Sequence, residues 1–445
     1  MTLNKLLKLL STKDYLAIKN ELANLFAADI AELLEQIEDK HSIVVFRLLA
    51  KDLAVDVFAH LTMKKQIALS KLTNDDELSE IVNELYFDDK IDFLEEMPAN
   101  IVKNILKNSS ENERRLINQF LHYPDSSAGS LMTTEFVDLK KHMTVAQALD
   151  IIKATAPNKE TIYTSFCIDS NRKLEGTVSL RELILSPSDT VVEEIMCKEV
   201  LKVDTHDDQE HVVELFKKYD LLSLPVVDHE SRLVGIITID DVTDVVEKEN
   251  TEDFHKLAAI YGNTKDKLLE GSVPNAVLLR LPWLIITLFG GMLAGGIIQV
   301  FEESLTSVIA LAVFIPVIMD MGGDIGIQTS TIVIRGLATG DIKSGNIWKC
   351  LIRETLIGVT MGVVCGTVIG FVGQIWQGVP MIGVAVGGAM IATIAVSSVL
   401  GAFLPVLFNR IGVDPAVVSG PLITTIKDIT GLLIYFNIAS LVMGI

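Results

Sequence analysis

A sharp divide near Gly271 constrains this chain more than any other feature. From Leu281 the sequence reads LPWLIITLFGGMLAGGIIQVF without a charge. About 20 apolar residues cross a bilayer core, so this stretch is a membrane-spanning helix. Four more apolar stretches follow: Leu305–Ala338, Cys350–Trp376, Val379–Phe408 and Ser419–Ile445. Residues 271–445 hold only seven Lys/Arg and eight Asp/Glu, so nearly all of the formal charge of −20 falls on the first 270 residues. This excludes a purely soluble protein and a secreted disulfide scaffold. It also excludes a nucleic-acid partner, because DNA and RNA repel such a surface. Lipid is one partner, and the acidic surface attracts cations.

Cys167, Cys197, Cys350 and Cys365 show no CxxC spacing and read as free thiols in a reducing compartment. MTLNKLLKLLSTKDYLAIKNEL lacks a continuous apolar core and a cleavage site, so it is no signal peptide. Arg280, then Arg335, Lys343, Lys349 and Arg353, then Arg410 fall on one side of a five-span membrane domain. The other side has Glu302, Glu303, a neutral loop near Gln377 and the C-terminus. Lys and Arg favour the cytoplasmic side, so the acidic half is expected inside and the C-terminus outside. Gly358, Gly362, Gly366 and Gly370, and likewise Gly291 and Gly295, have the spacing of close helix packing.

Two membrane segments carry charge. In PVIMDMGGDIGIQTSTIVIRG (Pro316–Gly336), Pro316 and the pair Gly322–Gly323 are expected to break the helix beside Asp320 and Asp324. Carboxylates in a membrane are costly and tend to face an ion path, and irregular backbone is tolerated where it lines a cavity. The plainer alternative is a kink with both aspartates at the membrane surface. In SGPLITTIKDITGLLIYF, Asp428 stands beside Lys427, with Thr424, Thr425 and Thr430 nearby. At about 100° per residue, Lys427 and Asp428 point in different directions. Aspartate offers the hard oxygen that Mg²⁺ and Ca²⁺ prefer. The alternative is a lysine–aspartate pair that neutralises itself between helices.

The cytoplasmic half contains a repeat. SFCIDSNRKLEGTVSLREL (165–183) aligns with LPVVDHESRLVGIITIDDV (224–242) at an offset of 59. Met132 and Met196 open the two units, and the pattern predicts β-α-β-β-α order. This resembles a tandem CBS-domain pair, which implies a small regulatory module. In such domains the spacing of Thr238 and Asp241 can place the acid on a nucleotide ribose, so ATP is a candidate ligand; a turn that serves the fold is the alternative. Acids crowd this region: Asp207, Asp208, Glu210 and Asp220, then Asp241, Asp244, Glu249, Glu252 and Asp253. Helical spacing sets the second group in stripes with few bases to offset them, and like charges one turn apart destabilise a helix. A divalent cation would relieve them. Residues 1–129 read as consecutive short helices, a superhelical stack. Asp88–Asp89 reads as a helix cap or as an acidic site.

PVIMDMGGDIGIQ, DPAVVSGPLITTIKDITG, ENTED and YPDSSAGSLMT, in this order of modules, resemble the MgtE family of magnesium channels. The resemblance implies an all-α N-terminal domain (1–129), a CBS pair (130–190 and 191–242), a linker or plug helix (243–272) and a five-span pore domain (273–445). It also implies a homodimer in a bacterial inner membrane, with one pore on the two-fold axis. Asp428 then falls on the pore aspartate and Asp414 on a loop acid linked to metal-dependent closure. Asp88 and Asp89 fall on an acidic site facing the CBS domains, Asp208, Glu210 and Asp220 on acids facing the CBS–CBS interface, and the ENTED segment on the gating helix. Mg²⁺ would be both cargo and regulator. The family commonly has Asn where Asp324 stands and Thr where Lys427 stands. These opposite changes predict that Asp324 and Lys427 compensate each other. Another divalent cation, or a non-conducting membrane-anchored sensor, remain the alternatives. No P-loop, nucleophile elbow or HExxH is present, so an enzyme is not expected.

Overall fold

The computed structural model describes residues 1–258, 260, 272–302, 308–342, 346–415 and 420–444. Leu305, Glu303, Lys343, Ser419, Ile445 and the linker's end at 261–271 lie outside the described residues. The chain divides into two compact units, Met1–Glu247 and Lys248–Ile445.

The first unit begins with short helices from Leu3–Thr12 to Glu111–Phe120. Each is too short to be stable alone and persists by burying one apolar face. Ala27–Glu35 buries Ile30, Ala31 and Leu34; Phe87–Glu95 buries Phe87, Ile91, Phe93 and Leu94. Asp14, Thr62, Asn74 and Ser110 each cap a helix by accepting a backbone N–H. Alternate helices touch: Ala27–Glu35 meets Lys51–Ala59, which meets Asp75–Glu84, which meets Ala99–Asn108. That skip pattern is the superhelical stack the sequence predicts.

The repeat folds as expected. Strands β1 (Val137–Leu139), β2 (Thr164–Ile168) and β3 (Leu174–Ser179) form one sheet; β4 (Val203–Asp204), β5 (Ser223–Val227) and β6 (Leu233–Thr238) form the other. In each, the first pair is parallel and the second antiparallel. The register repeats at the same offset, with Ser165 opposite Val178 and Leu224 opposite Ile237. Asp169 and Asp228 close the equivalent turns, each accepting two backbone N–H groups on one carboxylate oxygen. The segments that lead into the two halves cross over. Thr133 bridges to Ile236 in β6, and Cys197 bridges to Thr177 in β3. Met132 thus covers Gly235 and Met196 covers Gly176. A Cβ at either glycine would stand 2.7 or 2.8 Å from the methionine sulfur.

Among the described residues of the second unit, five helices are long and apolar enough to cross a membrane: Val273–Val300, Ile309–Ala338, Ile347–Gln377, Pro380–Arg410 and Gly420–Met443. The third and fourth spans pack along the expected glycines. Cβ atoms at Gly362, Gly366 and Gly370 would lie 3.0, 2.6 and 2.9 Å from the carbonyls of Ile391, Gly387 and Gly383. Gly291 and Gly295 have nothing within 4 Å, so the expected packing role does not fall on them; Gly290, against Thr425, has it instead.

Candidate functional site

The second span departs from the sequence reading. Gly322 and Gly323 do not break it. A 3₁₀ turn, Ile309–Phe314, passes into one α-helix, Ile315–Ala338, with Pro316 in its first turn, where a missing N–H costs nothing. Asp320, Asp324 and Gln328 recur every four residues along one exposed face. Gly322 and Gly323 are buried and make room for side chains: Thr393 and Ser397 beside the first, Lys427 beside the second.

Lys427 and Asp428 do meet, contrary to the expected divergence. Lys427 Nζ lies 2.9 Å from Asp428 Oδ1 and donates to the Met319 carbonyl. The lysine side chain is 3% exposed and the aspartate 21%. The long lysine stem explains the meeting, because it curls back across its own helix where the second span's glycines leave space. Lys427 therefore pairs with Asp428 and not with Asp324, so the expected compensation is not a direct contact. Thr425 faces the first span at Gly290 and donates to Pro421 O at 2.9 Å, away from Asp428's partners.

In the first unit, a second group of acids gathers. Asp88 and Asp89 lie in the first turn of Phe87–Glu95, and Tyr86 occupies the cap position, so the cap reading fails. Asp240 and Asp241 open the helix Ile239–Leu257. Burial, then the neighbouring acids, lift Asp88, Asp89 and Asp241 to about 7. The same causes raise Glu160 to about 8. Thr238 donates to Asp241 Oδ2 at 2.7 Å, which offsets part of the effect. Asp88 Oδ1 and Glu160 Oε2 are buried without a hydrogen-bond donor. Such oxygens suit a cation. Among the described residues no three acids close on a common point at ligating distance. Glu160, Asp240 and Asp92, the last of which helps to raise Asp88 and Asp89, were missed from sequence. Asp240 adjoined a named acid, but Glu160 lies in a loop with no periodic signal.

The remaining acids are dispersed. Asp244 is raised by burial, then by Glu247 and Asp240. Asp208 is a helix cap, accepting Glu210 N–H at 2.8 Å, and Asp220 ends that helix at a φ of 50°. Both, with Glu210, are exposed. Glu249 is half-buried on the linker helix. Further along it, Lys256 lies 2.6 Å from both Glu252 and Asp414. That base offsets acids the sequence reading had left nearly unopposed. Asp253 is raised by burial and by Asp414. All four cysteines are free.

Comparison with known proteins follows the same modules. A divalent cation transporter family, MgtE, matches residues 315–438. The MgtE intracellular N domain matches 25–126, and CBS domains match 128–189 and 192–248. The chain is 38% identical over 438 residues to the magnesium transporter MgtE of Thermus thermophilus, covering 97% of this chain and 96% of the relative. It is 34% identical to the Bacillus subtilis protein of that name over 93% of this chain and 91% of the relative. Among solved structures, the cytosolic domain of the Mg²⁺ channel MgtE in complex with ATP superposes with a TM-score of 0.52 at 36% identity, over 55% of this chain and all of that one. With its helical, CBS and membrane modules each accounted for, the chain belongs to the MgtE family of divalent cation transporters.

Proposed function

We propose that the chain works as a homodimer that admits Mg²⁺ through one pathway between the two copies and closes when cytoplasmic Mg²⁺ is abundant. The exposed face of Asp320, Asp324 and Gln328 carries this reading. A charged side chain facing lipid costs roughly 2.5–3.5 kcal/mol even on the mildest scale, so that face must meet water or protein. A second copy, turned face to face, supplies both. Asp428 lies beside this path and offers oxygen to a hydrated ion. Mg²⁺ sheds its water reluctantly, which favours outer-sphere bonds. The membrane potential drives the ion inward, at about 2.3 kcal/mol per charge per 100 mV and about twice that for a divalent ion.

Closure uses the cytoplasmic acids. Asp88, Asp89, Asp241 and Glu160 would hold Mg²⁺ in the first unit, with Asp208, Glu210, Asp220 and Asp244 on the same module. Glu249, Glu252, Asp253 and Asp414 would respond at the linker helix. Mg²⁺ binding removes their repulsion and biases the helix toward the closed state. The N-terminal unit faces the cytoplasm, the C-terminus faces outside, and the host membrane is the bacterial inner membrane. ATP is proposed at the CBS pair through Thr238 and Asp241, on the strength of the ATP-bound relative.

Flux into liposomes containing only this protein tests the reading. Mg²⁺ uptake is expected to exceed that of Mn²⁺, Co²⁺ and Ca²⁺, to stop at millimolar Mg²⁺ on the cytoplasmic side, and to fall more than tenfold in Asp428→Ala. Uptake led by another divalent ion changes the cargo, and no uptake leaves a non-conducting sensor.

A further inference from the structure

Lys427 places a fixed positive charge where the ion path is proposed, and this inference rests on that reading. Its ammonium lies between oxygens of two spans: the Asp428 carboxylate at 2.9 Å and the Met319 carbonyl. These are the hard ligands that a passing cation would use. The site is shaped for the amine. A Cβ at Gly323, one turn beyond Met319, would stand 2.5 Å from Nζ, and one at Gly322 would stand 3.6 Å from the lysine Cδ. Asp428 Oδ1 is buried yet receives no hydrogen bond, so charge alone holds the pair. An ion pair without hydrogen-bond geometry lacks the added strength of a charge-assisted hydrogen bond.

We infer that Lys427 is a tethered cation that selects by valence: a divalent ion displaces its ammonium from Asp428, and a monovalent ion does not. A monovalent ion brings no more charge than the ammonium already there, and the tether keeps the ammonium at a high effective concentration. A divalent ion brings twice the charge to the same carboxylate. The displaced ammonium keeps the Met319 carbonyl as its partner.

The test uses the full chain in liposomes, with Mg²⁺ uptake and Na⁺ uptake in the presence of a chelator measured side by side. Lys427→Met is expected to raise Na⁺ flux about tenfold without divalents and to lower the Mg²⁺ concentration for half-maximal uptake about tenfold. Lys427→Arg restores discrimination. Gly323→Ala pushes the amine aside without removing its charge and shifts the ratio in the same direction. A conducting Lys427→Met protein with wild-type elution and melting, and a Mg²⁺/Na⁺ ratio within about twofold of wild type, overturns the inference alone. Should Lys427→Met not fold, an unchanged ratio in Gly323→Ala overturns it. Wild-type protein that moves no divalent ion overturns the channel reading and this inference together.

Discussion

Lys256 Nζ sits 2.6 Å from Asp414 Oδ2 while also 2.6 Å from Glu252 Oε1, so one amine ties the linker helix to the loop after the fourth span. Burial works against its charge, but the bonds to Asp414 and Glu252 outweigh that and hold it above the ordinary lysine value. It is the nearest counter-charge for Glu252 and Asp414, and it acts with Arg335 on Asp253. Lys256→Met removes one positive charge from beside these acids, where a divalent ion can take its place. Their apparent Mg²⁺ affinity is expected to rise about tenfold, or about 1.4 kcal/mol. Mg²⁺-dependent protection of the linker helix from proteolysis, titrated in both proteins, checks this; unchanged midpoints refute it.

The acids of the first unit predict a pH dependence with a definite sign. Asp88, Asp89 and Asp241 titrate at about 7 in the folded chain against an ordinary value of 3.8. Between those values the folded protein binds protons that the unfolded chain has released, so stability is greatest in mild acid and falls as pH rises through the window. In metal-free buffer the first unfolding transition is expected to move down from about pH 5 to about pH 8, and millimolar Mg²⁺ to flatten the slope. Asp241→Asn should raise stability at about pH 8 without Mg²⁺ by roughly 1–2 kcal/mol, about one pKa unit's worth, and shrink the gain from Mg²⁺. A slope of the opposite sign would contradict the account.

Gly235 and Met132 form a packing pair that tolerates no extra atom. Gly235→Ala drives a methyl against the Met132 sulfur and the Thr133 carbonyl. Such overpacking costs about 1–3 kcal/mol. Met132→Ala also costs stability by itself, but in the double variant the two losses should add to less than their sum. Thermal unfolding of the four proteins measures the coupling, and strict additivity would show that the methionine had simply moved away.

The modules were legible because each has its own period. Helical spacing gave the N-terminal stack, the 59-residue offset gave the CBS pair, and uninterrupted apolar runs gave the spans. The sites were legible only where the acids were close in sequence. Asp88 and Asp241 were each named, but nothing in the chain announces that they share a neighbourhood with Glu160. Pattern rules also misplaced the membrane glycines. Gly322 and Gly323 look like helix breakers, yet with Thr393, Ser397 and Lys427 packed against them they serve as clearance within an unbroken helix. Lys427 defeated the angular argument because a four-carbon stem reaches well beyond the direction of its own Cα–Cβ bond.

The exchanged leading segments of the CBS pair have a consequence for heredity. Thr133 completes the edge of the later sheet and Cys197 that of the earlier one. Deleting either half bares a strand edge in the half that remains, and bare edges invite aggregation. Any recombination that moves the pair must keep the two halves together.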